Sequence, residues 1–117
     1  MSQPKNFIYF QGNFPELVQT IKEYRTLVVM VLTSEGCIVC RRAKQVLPTI
    51  INENPDIVFI EVMYAQKTKD IFMEYGVTNV PQFFFIKGLD SNEKPKQAGH
   101  LIGFDSKELR MKINQYC

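Results

Sequence analysis

The sequence predicts an α/β domain built on a mixed central β-sheet with helices on both faces. Three observations lead there. Short apolar, β-branched runs alternate along the chain with segments whose apolar residues recur at helical spacing. One run, Leu27 to Leu32, is uninterrupted and holds three valines, the composition of a strand buried on both faces and therefore central. The last two runs follow one another with no helix between them, so they pair antiparallel beside strands that crossovers make parallel. With 117 residues, 45% hydrophobic and 22% charged, the chain makes one domain, residues 1–117, large enough to bury a core without disulfide staples or a structural metal. That balance excludes a disordered chain, and no compositional bias suggests collagen or a coiled coil.

The elements follow in order. Met1 to Asn6 is a polar, loose lead-in. Phe7 to Phe10 is aromatic and β-branched, stops at Gln11-Gly12-Asn13, and reads as a strand. Asn13 with Glu16 forms a capping box, Pro15 suits a first turn, and Leu17, Val18, Ile21 and Tyr24 carry a helix from Phe14 to Arg25. After Leu27 to Leu32, the turn-like Thr33-Ser34-Glu35-Gly36 presents a helix that Cys37 opens, with Ala43, Val46, Leu47 and Ile50 on one face. Pro55-Asp56 breaks the chain before a strand from Ile57 to Met63. A short helix from Lys67 to Tyr75 stops at Gly76, a C-cap residue. Val80-Pro81 precedes a strand from Gln82 to Ile86, and Lys87 to Gly99 reads as a solvated hairpin loop before a strand at His100 to Ile102. Asp105 with Glu108 caps a last helix carrying Leu109, Met111, Ile113 and Tyr116. The order is β-α-β-α-β-α-β-β-α.

Charge and hydropathy narrow the function. The 14 basic and 12 acidic residues are interspersed, with no basic block longer than Arg41-Arg42, so nucleic acid is not an expected partner. The longest apolar stretch is far below the roughly 18 residues a span needs, so no membrane partner is expected either. No cationic flank and apolar signal core opens the chain, and the expected location is cytoplasmic.

Three cysteines are placed unevenly, at Cys37, Cys40 and the last residue, Cys117. This is not the pattern of a disulfide-rich secreted scaffold. Cys37-Ile38-Val39-Cys40 sets two thiols three residues apart at a helix start, where i and i+3 side chains are neighbours and can close a small disulfide ring. Unpaired backbone N–H groups at that end favour an anion, so Cys37 is the more acidic thiol and the expected nucleophile. Cys40, nearer the helix interior, then resolves the mixed disulfide. Three other readings stand beside this one: inert small hydrophobes, half of a zinc site, or a structural disulfide. For zinc, His100 and Cys117 supply no second paired spacing, and no metal is expected.

Over nearly its whole length, Phe7 to Tyr116, the chain resembles the thioredoxin superfamily. The resemblance rests on the strand Leu27 to Leu32, the Cys37–Cys40 helix start, Val80-Pro81 before Gln82-Phe83-Phe84-Phe85, and Gly103 before the last helix. It implies the thioredoxin fold and a thiol–disulfide oxidoreductase that exchanges disulfides with protein substrates. It also implies a cis bond before Pro81, of the one kind that adopts cis at modest cost, lying against the cysteine pair. Val80 would then offer its backbone to a substrate segment as an added strand. Gly36, Ile38, Val39, Val80, Pro81 and Gly103 are the substrate-binding residues so implied. No prosthetic group is required, since electrons come from a thioredoxin-reductase-like protein or from glutathione.

The resemblance mixes two branches and has gaps. Cys40-Arg41-Arg42-Ala43-Lys44 and Val80-Pro81-Gln82 are similar to glutaredoxin text, whereas the N-terminal strand and helix and the length are similar to thioredoxin. Gly36 replaces the usual tryptophan, Ile38-Val39 the usual Gly-Pro, Val31 the buried carboxylate of the preceding strand, and Gln45 a proline, although Pro48 follows. Without a carboxylate at Val31, deprotonation of Cys40 falls to water or Glu61. Ile38-Val39 stiffens the loop and exposes apolar surface that favours an apolar protein substrate, while Glu35 repels glutathione's carboxylates. These gaps support an alternative reading, a redox-silent thioredoxin-fold module that binds or scaffolds a protein partner.

Other side chains take plainer readings. Arg41, Arg42 and Lys44 are a solvated helix face, Phe83 to Phe85 a core strand, and Met63 and Tyr64 strand-end packing. His100 is an ordinary surface residue, and Cys117 a frayed terminal one.

Overall fold

The computed structural model describes residues 4–117, so the first three residues of the expected loose lead-in lie outside it. The rest of the lead-in is anchored, contrary to expectation. Asn6 Nδ2 donates to the main-chain oxygens of Ile51, Asn54 and Ile57 at 3.1, 2.9 and 2.9 Å. Those three acceptors lie where one helix ends and a strand begins, so a single carboxamide ties the lead-in to that junction.

Five strands and four helices follow in the expected order: β1 (Phe7–Phe10), α1 (Phe14–Lys22), β2 (Val28–Thr33), α2 (Ile38–Glu53), β3 (Val58–Met63), α3 (Lys69–Glu74), β4 (Gln82–Leu89), β5 (Pro95–Ile102) and α4 (Ser106–Tyr116). The sheet order is β1-β3-β2-β4-β5. β3 pairs parallel with β1 and β2, while β4 runs antiparallel to β2 and β5. β2 is buried at every residue, as its composition requires, and occupies the centre. The side-chain period of two sends Val28, Met30 and Leu32 to one face, against Leu17, Ile21 and Phe72 of α1 and α3. It sends Val29 and Val31 to the other, against Ala43, Leu47 and Leu109 of α2 and α4.

Local chemistry explains the boundaries. The Asn13–Glu16 capping box is complete at the start of α1, but α1 ends at Lys22 rather than Arg25. At α4 only half the expected box forms, with the Asp105 side chain accepting from the Glu108 N–H. The largest departure is the hairpin. The expected loop from Lys87 to Gly99 shrinks to five residues, because β4 continues to Leu89 and β5 starts at Pro95. Asp90 builds that turn by accepting from the N–H groups of Asn92 and Lys94 with one carboxylate oxygen. β5 is a sheet edge with Lys96, Gln97 and Ala98 exposed, so its residues carry no apolar alternation by which to read it.

Candidate active site

The pair sits where β2 hands over to α2. Cys37 is the N-cap of α2 with extended backbone, and its Sγ accepts from the Cys40 N–H at 3.1 Å. One of the helix's unpaired donors is therefore satisfied by sulfur, which is how an N-cap side chain normally works. Cys37 and Cys40 are joined as a disulfide with Cα atoms 5.2 Å apart. Cys40 is buried, whereas Cys37 is only half-buried. The thiol expected to attack is thus the accessible one, and the one expected to resolve is covered.

The loop before the pair accounts for one gap in the resemblance. Gly36 has φ +80°, in the left-handed region that side chains rarely adopt, so a tryptophan there would be strained in this backbone. Ile38 and Val39 follow on the first turn of α2, and Ile38 is 61% exposed. Facing them, the Val80–Pro81 bond is cis and the Val80 oxygen lies 3.7 Å from Cys37 Sγ. Gly103, at φ +83°, donates its N–H to the Pro81 oxygen at 2.8 Å. Ile102, next to it and 62% exposed, extends the apolar surface. The fold therefore gathers Gly36, Cys37, Ile38, Val39 and Cys40 from the start of α2, with Val80 and Pro81 before β4 and Gly103 after β5.

Behind the pair, Val31 leaves no carboxylate on β2, but one stands directly across the ladder. Glu61 pairs in register with Val31, lies on the α2 side of the sheet and is only 6% exposed. Its Oε2 accepts from Thr33 Oγ1 at 2.8 Å and pairs with Lys44 Nζ at 2.9 Å. Lys44 therefore belongs to a partly buried ion pair, not to the solvated face read from the sequence. Arg41 and Arg42 are exposed as expected.

His100 is also misread by sequence. It stacks on Phe84, ring centroids 4.5 Å apart at 17°, and its Nε2 lies 2.8 Å from Gln82 Oε1. Burial, and behind it the Lys112 ammonium, hold its imidazolium below the ordinary histidine range. The signal available in the sequence was alternation: on an antiparallel edge strand, His100 falls on the same face as Gln82 and Phe84 once β5 is recognised. Tyr64, half-exposed, meets Phe72 edge-on at the end of β3. Cys117 is free and exposed.

No protein-family model matches the chain, and no curated protein does. Solved structures do. The thioredoxin of Trichomonas vaginalis is 29% identical, with 99% of this chain and 100% of that one covered at a TM-score of 0.86. The thioredoxin NaTrxh of Nicotiana alata is 21% identical over 99% and 96% of the two chains, TM-score 0.81. Oxidised mitochondrial thioredoxin 3 of Saccharomyces cerevisiae is 23% identical over 97% and 99%, TM-score 0.79. All three share the fold over almost the whole chain, and the first shares more of the sequence as well. A disulfide between cysteines three residues apart, in a fold with these neighbours, supports thiol–disulfide oxidoreductase chemistry at the level of the family. The mixed five-strand sheet, the cysteine pair at the head of α2 and the overlap with these neighbours along almost the whole chain agree, and the chain has the thioredoxin fold.

Proposed function

We propose that the chain exchanges disulfides with protein substrates through Cys37 and Cys40. The observation that carries the reading is the asymmetry of the pair, with an accessible sulfur at the helix N-cap and a buried one behind it. In the reducing direction, the Cys37 thiolate attacks one sulfur of a substrate disulfide. The substrate S–S bond breaks, its departing thiolate takes up a proton, and a Cys37–substrate disulfide forms. Cys40 then loses its proton and attacks Cys37 Sγ, which frees the second substrate thiol and leaves the Cys37–Cys40 disulfide. Two electrons and two protons pass to the substrate. A reductase-like protein or glutathione returns them.

Gly36, Ile38, Val39, Val80, Pro81 and Gly103 frame the substrate surface, with the Val80 backbone offered to an extended segment. Glu61 is the buried carboxylate that can share the proton of Cys40, in the place Val31 leaves empty. The exposed Ile38 and Ile102 suit an apolar flank on the partner. The same apolar surface also favours the second reading, a binding module whose cysteines are silent. A cytoplasmic location suits work as a reductant, and no helix among the described residues is long and apolar enough to cross a membrane.

Insulin reduction with dithiothreitol as electron source separates the readings. The oxidoreductase precipitates the insulin B chain well above the uncatalysed rate. A rate equal to background, with an ordinary thiol pKa at Cys37, leaves only the binding module.

A further inference from the structure

The Val80–Pro81 segment is held by a polar network that disulfide exchange does not itself consume. Gln82, the first residue of β4, is 6% exposed. Its Nε2 donates to the main-chain oxygen of Asn79 at 2.8 Å and to Asn79 Oδ1 at 3.1 Å. Its Oε1 lies 2.8 Å from His100 Nε2. A main-chain oxygen only accepts, so the carboxamide must turn its NH₂ toward Asn79 and its oxygen toward β5. The His100 nitrogen opposite must then carry a hydrogen, which fixes the neutral ring as the Nε2–H tautomer. Stacking on Phe84 holds that ring in place.

The network ends on a stretch with little support of its own. Asn79 is exposed, lies between α3 and β4, and stands next to Val80, whose oxygen faces Cys37 Sγ. The buried carboxamide takes hold of Asn79 at both its backbone and its side chain. Any drift of that loop would separate the nearly buried carboxamide from its acceptors, which is the costly kind of loss.

We propose that Gln82 and His100 are positioning residues that fix the Val80 backbone against Cys37, and so favour disulfides carried on an extended peptide over small disulfides. This rests on the reading of Val80 as the docking backbone. A peptide disulfide has a strand to pair with Val80. A small disulfide reaches Cys37 with nothing to dock, so a displaced Val80 costs it little.

The test compares reduction of a peptide disulfide with reduction of 2-hydroxyethyl disulfide by the wild-type chain, Gln82→Met, His100→Ala and His100→Gln. Gln82→Met should lower kcat/KM for the peptide roughly tenfold, mostly through KM, while the small disulfide falls less than about twofold. His100→Ala should move the same way by less. His100→Gln, which keeps an N–H donor, should recover most of that loss. Histidine NMR should show the Nε2–H tautomer in the wild-type chain and its loss in Gln82→Met. Equal effects on both substrates, no effect on either, or a His100→Gln variant no better than alanine would overturn the proposal. If Gln82→Met does not fold, the two His100 variants decide alone. A wild-type chain that reduces neither substrate sinks the oxidoreductase reading itself, a result distinct from failure of the network.

Discussion

The two sides of the site are built by different means. On the cysteine side, everything that orients Cys37 lies within a few residues: the positive φ of Gly36, the N-cap geometry and the Cys40 N–H. On the proline side, Gln82 grips the neighbouring Asn79, but the Gly103 N–H on Pro81 and the His100 ring that braces Gln82 come from about 20 positions later in the chain. A locally built side survives as long as its helix does. A remotely built one depends on the whole β4–β5 ladder keeping register, and it can be loosened without touching a cysteine.

The largest effects should come from the local side, where chemistry and scaffold coincide. Cys37→Ser should remove insulin reduction to background and trap no partner. Cys40→Ser should also lose turnover, yet accumulate covalent mixed disulfides that non-reducing gels reveal. If both variants trap, or neither does, the division of labour between an exposed and a buried sulfur is wrong.

These two sides also mark what the sequence made legible. The cysteine side could be read directly, because a capping position, an i to i+3 spacing and a buried strand before it are local patterns. The central place of β2 in a mixed sheet was equally legible, since β2 carries a continuous apolar run. β5 was not, because an edge strand with Lys96, Gln97 and Ala98 exposed has no apolar alternation, and its first half reads as loop. The three residues read as strand, His100 to Ile102, set no register against β4, so the face that His100 shares with Gln82 and Phe84 stayed hidden and a bracing residue passed for a surface one. Lys44 escaped for a related reason: its partner Glu61 lies on another strand, and only the α2–β3 packing brings them together.

The next largest effect concerns that partner. Glu61→Ala leaves the Thr33 hydroxyl, only 1% exposed, without its acceptor and Lys44 without its counter-ion, a loss of about 1–3 kcal/mol in denaturant unfolding. Glu61→Gln keeps an oxygen for Thr33 and should recover most of that stability. If Glu61 also shares the Cys40 proton, Glu61→Gln lengthens the life of the Cys37 mixed disulfide in stopped-flow traces. Normal resolution at normal stability assigns Glu61 to structure alone.

Gly103 is where the remote side meets the backbone directly. Nothing lies within 4 Å of a Cβ added there, so the cost of Gly103→Ala is conformational, from φ +83°, at about 1–2 kcal/mol. The Pro81 hydrogen bond should loosen with it, so peptide-disulfide reduction should fall more than reduction of a small disulfide. A variant as stable as wild type would mean that the turn after β5 tolerates a different backbone.

The smallest effect tests the brace without altering the site's chemistry, through acidity alone. Burial and the Lys112 ammonium lower the pKa of His100 in the folded chain, while in the unfolded chain it titrates at its ordinary value. Between those two values the unfolded state binds the extra proton, so unfolding is favoured as pH falls. The stability that neutral His100 contributes is therefore present above the ordinary histidine range and is lost as pH drops through that range toward the folded value. Guanidinium unfolding midpoints at about pH 7.5 and about pH 5 should fall further for wild type than for His100→Gln, which has no proton to gain. The Nε2–H donates to Gln82 in the neutral and the charged ring alike, so acidification should place an unfavourable charge on a partly desolvated ring near Lys112 and spare the hold on Asn79. Peptide-disulfide specificity should then persist at the lower pH while stability declines. If wild type and His100→Gln lose equal stability, His100 is solvated too well to act as a buried brace.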